Sequence, residues 1–435
     1  MVLLAMAAAR FLTPGTAPGS FWAQSAAIGG AVLLALYAAE LYKTDLRIPR
    51  REGLARLLGA IFTGAVLSGA LGLAVPAFRL EALPFLEVFG ILGAGLVVWR
   101  GGWFPWCSPD RLQERVLVLG VSAAAPRIVA LQATGSRPFK VLGFVDSALD
   151  AQDRLPEGAA LLGKPSDLLG IVDDLAPDLV LVALADMRRS FPADDLLECR
   201  LRGIRVEDWP TFHEKQTGKI LLTDLRPSWL IFSDGFVKTR LERRVKRVLD
   251  VSLAFAVFTL SLPFMAVIAL AIKLDSAGPV LFRQERVGEH GRRFFINKFR
   301  SMRAEAERES GPVWARPDDP RVTRVGRILR RARLDELPQL LNVLVGDMSF
   351  VGPRPERPEF VQVLQEEIPF YLARLSVKPG VTGWAQVRHR YAASIADTVE
   401  KLQYDFYYIK NMSVFLDLLV LLSTIQVVVF GRGSR

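Results

Sequence analysis

An apolar run from Val251 to Leu274, with Pro263 near its middle, sets the tightest limit on how this chain folds. It is long enough to cross a bilayer, which takes roughly 20 mostly apolar residues. Its flanks argue against crossing. Arg240, Arg243, Arg244, Lys246 and Arg247 precede the run, and Lys273, Arg283, Arg286, Arg292, Arg293, Lys298 and Arg300 follow from its end onward. Basic flanks stay on the cytoplasmic side, and a single span cannot keep both there. Proline removes a backbone donor and clashes with the preceding turn, so a bend is expected near Thr259 to Pro263. The hydroxyl of Ser261 is placed to take up a freed carbonyl. The expectation is a re-entrant helix–break–helix over 248–274, entering and leaving on one face, with Ser261 and Pro263 at the break.

Other apolar stretches lie nearer the N-terminus. Trp22 to Tyr42, Leu57 to Phe78 and Phe85 to Trp99 read as transmembrane helices, and Met1 to Ala9 as the remaining half of another, too short to span and lacking a cleavage pattern. Lys43, Arg47, Arg50, Arg51 and Arg56 put the loop between the first two spans on the cytoplasmic side. From Arg115 the text changes to short apolar runs, at 115 to 121, 140 to 146, 178 to 184 and 204 to 208, with helical stretches such as Asp194 to Arg202 between them. That alternation predicts buried parallel strands in a Rossmann-like domain. A dinucleotide fingerprint would need glycine where Ser122 stands, because that glycine lets the backbone approach a pyrophosphate. Ser122 and Ala125 break the pattern after Gly120, so a structural or regulatory role is expected of this domain.

The mean hydropathy of +0.26 suits a membrane-associated chain, and a net charge of +10 calls for acidic partners. Nucleic acid, anionic headgroups and phosphorylated substrates all qualify by charge, but no recognised nucleic-acid-binding module is present. Cys107 and Cys199 are the only cysteines and form no C-x-x-C pair, which excludes a disulfide framework or a zinc site.

The chemistry concentrates between Arg321 and Pro355. Six arginines from Arg321 to Arg333 lead into the carboxylate pair Asp335-Glu336, followed by Asp347 and by Pro353-Arg354-Pro355. Arg324, Arg327 and Arg331 share one helical face by their spacing. Guanidinium groups bind phosphate oxygens in pairs, and a carboxylate ligates a divalent metal or attacks phosphorus once its charge is offset. A solvated helix laced with surface ion pairs is the bland alternative for such a run.

The run L-D-E-L-P-Q-L-L-N-V-L-V-G-D-M-S-F-V-G-P-R-P resembles the signature of the bacterial sugar transferase family, the monotopic phosphoglycosyl transferases. The resemblance extends to K-F-R-S-M at Lys298 to Met302, D-D-P-R-V-T-R-V-G-R at Asp318 to Arg327, V-K-P-G-V-T-G-W-A-Q-V at Val377 to Val387 and Y-D-F-Y-Y-I-K at Tyr404 to Lys410. It implies a membrane-associated α/β chain: transmembrane helices over 1–105, a Rossmann-like domain over 113–235, and a mainly α catalytic domain over 240–435. That last domain would carry a re-entrant membrane helix and an interfacial helix at 412–430. The implied reaction moves a sugar-1-phosphate from a UDP-sugar to undecaprenyl phosphate and releases UMP. Asp335 would be the nucleophile of a covalent phosphosugar–aspartyl intermediate. Asp335 and Glu336 would hold Mg²⁺. Lys298, Arg300 and Arg354 are expected to bind substrate; Arg327 and Arg331 either clamp the diphosphate or pair with the dyad. Asp347 is as well placed to cap a helix, and Trp384 is expected at headgroup level.

The resemblance places the chain in the bacterial inner membrane with its catalytic domain on the cytoplasmic face. A glucose-type hexose is the expected sugar, galactose and N-acetylated sugars staying open, as does a homo-oligomer. Two other function classes compete. A catalytically silent scaffold of a polysaccharide export complex has no need of the dyad, K-F-R-S-M and P-R-P together. A Rossmann oxidoreductase is opposed by the broken glycine pattern and the lack of a Tyr-x-x-x-Lys pair there.

Overall fold

The computed structural model describes residues 21–38, 50–75, 82–98, 113–134, 138–147, 152–184, 191–222, 233–303, 319, 321–389 and 394–430. The chain divides into two units, Met1–Thr217 and Gly218–Arg435. The division falls inside the span expected for the Rossmann-like domain. Ile220, Leu222 and Phe236 pack in the core of the second unit, and the Ile220 amide donates to the Gln403 carbonyl.

In the first unit, three apolar helices coincide with the expected N-terminal spans: α1 (Phe21–Ala38), α2 (Arg50–Ala74) and α3 (Ala82–Val98). Ile28, Val32, Leu57, Val88 and Leu92 form their shared core, while Trp22, Phe62 and Leu86 face outward. Of the basic loop between the first two, Lys43 and Arg47 lie outside the described residues, as does the segment Met1 to Ala9, while Arg50, Arg51 and Arg56 fall in the first turns of α2. The same unit holds a five-stranded parallel sheet in the order β3-β2-β1-β4-β5, from β1 (Glu114–Leu119), β2 (Phe139–Val145), β3 (Leu161–Gly163), β4 (Leu179–Val182) and β5 (Arg205–Asp208). The four expected strands are present, and three-residue β3 was missed because so short a run carries no periodicity. Helices α4 (Ala125–Thr134), α5 (Leu168–Leu175), α6 (Ala193–Leu201) and α7 (Trp209–Thr217) complete this Rossmann-like arrangement. Gly120 (φ 103°) makes the turn after β1, where an added Cβ would sit 2.8 Å from the Leu184 backbone. The Asp146 carboxylate accepts from the Val121 amide in the same turn.

The second unit is built on α8 (Arg240–Asp275), opened by a capping box in which Thr239 and Glu242 serve each other's amides. Among the described residues it is the one helix long and apolar enough to cross a membrane. The expected helix–break–helix is corrected here: the segment is helical throughout, with Pro263 inside it. Proline leaves the Thr259 carbonyl without its usual donor, a single bond in a 36-residue helix. The Ser261 hydroxyl donates instead to the Phe258 carbonyl at 3.0 Å. Packing keeps both halves in place. Ala254, Val257 and Phe258 sit in one core cluster, Met265, Ile268 and Ile272 in another, and Leu337 belongs to both.

The rest of the unit packs against part of that helix. The hairpin β6 (Leu281–Val287) and β7 (Arg293–Phe299) pairs Phe282 with Lys298. Helix α9 (Arg324–Arg331) follows, then a 3₁₀ segment (Leu334–Gln339), α10 (Leu340–Val345), β8 (Ser349–Val351), α11 (Pro358–Glu367) and a second 3₁₀ segment (Tyr371–Ser376). Strand β9 (Gly380–Thr382), α12 (Trp384–Arg388), α13 (Ile395–Asn411) and α14 (Val414–Phe430) close it. β8 and β9 are parallel and unusually close: a Cβ on Gly380 would lie 2.1 Å from the Gly352 nitrogen, and one on Gly383 2.2 Å from the Gly352 oxygen. This contact joins the two motifs V-G-P-R-P and K-P-G-V-T-G-W. Gly326 does the same for K-F-R-S-M, since its Cβ would overlap the Ser301 carbonyl at 2.0 Å.

Candidate active site

The dyad reaches its place through a change of helix type. α9 ends at Arg331, Arg333 adopts φ 54°, and the chain enters the 3₁₀ segment carrying Asp335 and Glu336. With three residues per turn, the two carboxylates point about 120° apart and meet different surroundings. Asn342, in α10 directly after this segment, ties that helix to β7. Its Oδ1 accepts from the amide and side chain of Asn297, and its Nδ2 donates to the Phe295 carbonyl at 2.8 Å. Lys298, the next residue along β7, is thereby brought to the dyad.

Glu336 is buried and held by two cations. Arg354 Nη2 donates to its Oε1 at 2.7 Å, and Lys298 Nζ stands 3.6 Å from the same oxygen. Burial alone would raise its pKa, but the charges of Arg354 and then Lys298 outweigh burial and hold the carboxyl below the usual range. Asp335 is the opposite case. No described cation comes within 4 Å of its carboxylate, and burial followed by the charge of Glu336 pushes its pKa up. Burial also depresses Lys298, against the pull of Glu336. Two adjacent acids thus divide into a fixed anion and an uncommitted carboxyl.

The turn Pro353-Arg354-Pro355 is held by acceptors, because its prolines have no N–H to give. The Gly380 amide donates to the Pro353 carbonyl at 2.9 Å, Arg374 Nη2 to the Arg354 carbonyl at 2.8 Å, and the Val287 amide to the Glu356 carbonyl at 3.0 Å. Glu356 pairs with Lys401 at 2.6 Å; burial would raise its carboxyl, but Lys401 and Arg374 bring it down to about 2.

Of the expected substrate ligands, Lys298 and Arg354 meet the dyad and three do not. Arg300 is corrected: it is buried, its Nη1 donating to Ala277 O at 2.9 Å and its Nη2 to Ser276 O at 2.7 Å. It caps the C-terminal carbonyls of α8, where a cation is favoured. Arg327 and Arg331 share an exposed face with Arg324, as their spacing requires, while Leu329 opposite packs on α8. Neither pairs with Asp335 or Glu336 among the described residues. Arg330 and Arg333 instead act electrostatically on Asp335 and Glu336, respectively. Asp347 is exposed; α10 ends at Gly346, whose carbonyl takes Lys378 at 2.6 Å. Trp384 is buried rather than at a surface, its Nε1 donating to the Gly218 carbonyl at 2.8 Å and its ring stacked on Tyr407.

No group of three His, Cys, Asp or Glu side chains able to hold a metal occurs among the described residues. The dyad still fits Mg²⁺ of one kind. That ion keeps several waters and is commonly bound by one or two carboxylates together with substrate phosphates. Asp335, free of ion pairs with described cations, is the better placed ligand; Glu336 has one oxygen committed to Arg354 and Lys298.

Residues 241–431 match the family model described as bacterial sugar transferase. The chain is 43% identical over 267 residues to UDP-N-acetylgalactosamine-undecaprenyl-phosphate N-acetylgalactosaminephosphotransferase of Aeromonas hydrophila, covering 60% of this chain and 62% of that one. It is 32% identical over 339 residues to undecaprenyl-phosphate glucose phosphotransferase of Komagataeibacter xylinus, covering 74% and 60%. Exopolysaccharide production protein PSS of Rhizobium leguminosarum bv. phaseoli is 40% identical over 186 residues, 42% of this chain and 93% of that protein. The chain thus spans about three fifths of the first two relatives' lengths.

Proposed function

The chain belongs to the bacterial sugar transferase family, and from that premise we propose that it transfers a sugar-1-phosphate from a UDP-sugar to undecaprenyl phosphate, releasing UMP. The observation that carries the reading is the divided dyad: Glu336 locked by Arg354 and Lys298, and Asp335 left free to react. An Asp335 oxygen attacks the sugar-bearing phosphorus, the bond to the bridging oxygen breaks, and UMP leaves with that electron pair. An oxygen of the lipid phosphate then attacks the same phosphorus and displaces Asp335, so product forms and the carboxylate returns. Lys298 and Arg354 neutralise Glu336 and present positive charge to the incoming diphosphate. Mg²⁺, held by Asp335 with the substrate phosphates, would supply charge neutralisation for the diphosphate.

The same unit supports a membrane placement. Before Pro263, Asp250 accepts from the Phe350 amide at 3.0 Å and Arg247 donates to the Val343 carbonyl at 2.6 Å. After it, Asp275 accepts from the Val325 amide at 3.1 Å, and Arg300 holds the helix end. A helix tied to one unit at both ends cannot deliver those ends to opposite sides of a bilayer, which supports insertion from one face, with any bend at Pro263 made inside the continuous helix. Its outward residues, among them Phe255, Leu260, Phe264, Val267 and Leu270, are apolar and exposed. On α14 Asp417 and Thr424 turn inward: Asp417 pairs with Lys246 at 2.7 Å and Thr424 bonds Thr382 at 2.7 Å, leaving Phe415 and Leu418 outside. That pattern suits a helix lying in the interface. We place the unit on the cytoplasmic face of the inner membrane, where it would begin a polysaccharide repeat.

The test is UMP release by purified protein with Mg²⁺, undecaprenyl phosphate and a panel of UDP-sugars, run beside Asp335→Ala. UDP-N-acetylgalactosamine and UDP-glucose head the panel, since the relatives' names divide between them. Release with one donor, abolished in the variant, is expected. Equal release by the variant would overturn the nucleophile.

A further inference from the structure

We propose that Arg374 and Asp405 are positioning residues that set Arg354 against the dyad, an inference that rests on the transferase reading above. Arg354 makes the shortest contact to Glu336, yet it stands on a short turn with prolines on both sides. Three carbonyls of that turn region are anchored, two of them by backbone amides and the Arg354 carbonyl by the Arg374 side chain. Arg374 is itself held on three sides. Its Nε and Nη2 donate to Asp405 Oδ2 at 3.2 and 2.9 Å, and its Nη1 to the Tyr371 hydroxyl at 3.2 Å. Both members of the Arg374–Asp405 pair are 3% exposed.

A buried ion pair is weak evidence for stability, because taking both charges out of water opposes what their attraction returns. An apolar pair of the same volume would fill this site as well. What an apolar pair cannot do is grip the carboxylate of α13 with one edge and the Arg354 carbonyl with another. The planar fork of arginine does both at once. Asp405 therefore orients Arg374, Arg374 fixes the backbone of Arg354, and Arg354 fixes Glu336. Neither Asp405 nor Arg374 touches the reacting atoms.

Arg374→Lys is the deciding variant. It keeps a cation opposite Asp405 but loses the fork. Positioning predicts a melting temperature near that of the parent with kcat/KM lower by about 10- to 100-fold, the scale of a small misplacement. A role limited to charge pairing predicts both unchanged, and that result overturns the proposal. Should Arg374→Lys melt early, Asp405→Asn is compared in the parent and in Arg354→Ala. The loss is expected in the first and less than about 2-fold in the second, because residues acting as a unit are not additive. An equal loss in both backgrounds refutes action through Arg354. Asp335-dependent UMP release by the parent keeps the two failures apart: without it the transferase reading falls and takes this inference with it, and with it only the positioning is at stake.

Discussion

Removing the guanidinium from Glu336 tests how the dyad is held. In Arg354→Met the carboxylate keeps Lys298 at 3.6 Å and loses a cation at 2.7 Å. At an effective dielectric of about 20, the gross attractions are about 6 kcal/mol for Arg354 and about 5 kcal/mol for Lys298. The two cations thus share the work nearly evenly. Breaking a buried pair ordinarily costs about 3–5 kcal/mol, because a lone charge is left behind. Here Lys298 stays, and Arg354 is one third exposed, so screening lowers its share. A net loss of about 2 kcal/mol follows, or about 4–8 °C in Tm for a unit of this size. The sign with pH is fixed by the direction of the shift. Glu336 has its pKa lowered by folding, so its contribution is present above the unfolded carboxylate value and is lost as pH falls toward the folded one. The Tm gap between parent and Arg354→Met, read by tryptophan fluorescence in detergent, is therefore widest near neutrality and narrows as the buffer is taken below about pH 4.5. The double variant with Lys298→Met should lose more than the two single losses added together, since the last neutralising charge is then gone. A gap independent of pH, or strict additivity, would refute the pairing described here.

Other outcomes follow from single contacts. Arg300→Met strands the Ser276 and Ala277 carbonyls at the end of α8 and should cost about 2–3 kcal/mol in urea melts while leaving KM for the UDP-sugar unchanged; a raised KM would restore it as a phosphate ligand. Gly380→Ala forces a methyl group to 2.1 Å from the Gly352 nitrogen, so β8 and β9 must part and the loss should reach about 3 kcal/mol, with activity falling as the P-R-P turn shifts. Single cysteines at positions 243 and 278, in protein lacking Cys107 and Cys199, should both react with a membrane-impermeant maleimide from the same side of oriented vesicles. Reaction from opposite sides would make α8 a true span.

The carboxylate dyad stands out in the sequence by residue type, and the family resemblance pointed to Lys298 and Arg354, which the fold brings to Glu336. Hydrophobic periodicity likewise revealed the parallel strands and the basic-flanked apolar helix, because burial writes its period into the chain. Partnership was another matter. Lys298 and Arg300 look alike two residues apart, yet β7 ends at Phe299, and beyond it Arg300 turns to the carbonyls of α8. The stripe of Arg324, Arg327 and Arg331 was legible as one face, but which face meets the dyad depends on Leu329 packing against Ile268 and Ile272. Arg333, at φ 54°, then redirects the chain, so the phase of α9 does not carry through to Asp335. Proline's lost hydrogen bond could be read from the sequence; that packing on both sides would keep α8 helical could not. Asp405 sits inside Y-D-F-Y-Y-I-K, but nothing in the sequence names its partner Arg374, 31 residues away and outside the quoted motifs. Local backbone and burial preferences are properties of a segment, and a sequence states them. The choice of which charges meet belongs to contacts across the fold, which only the tertiary structure decides.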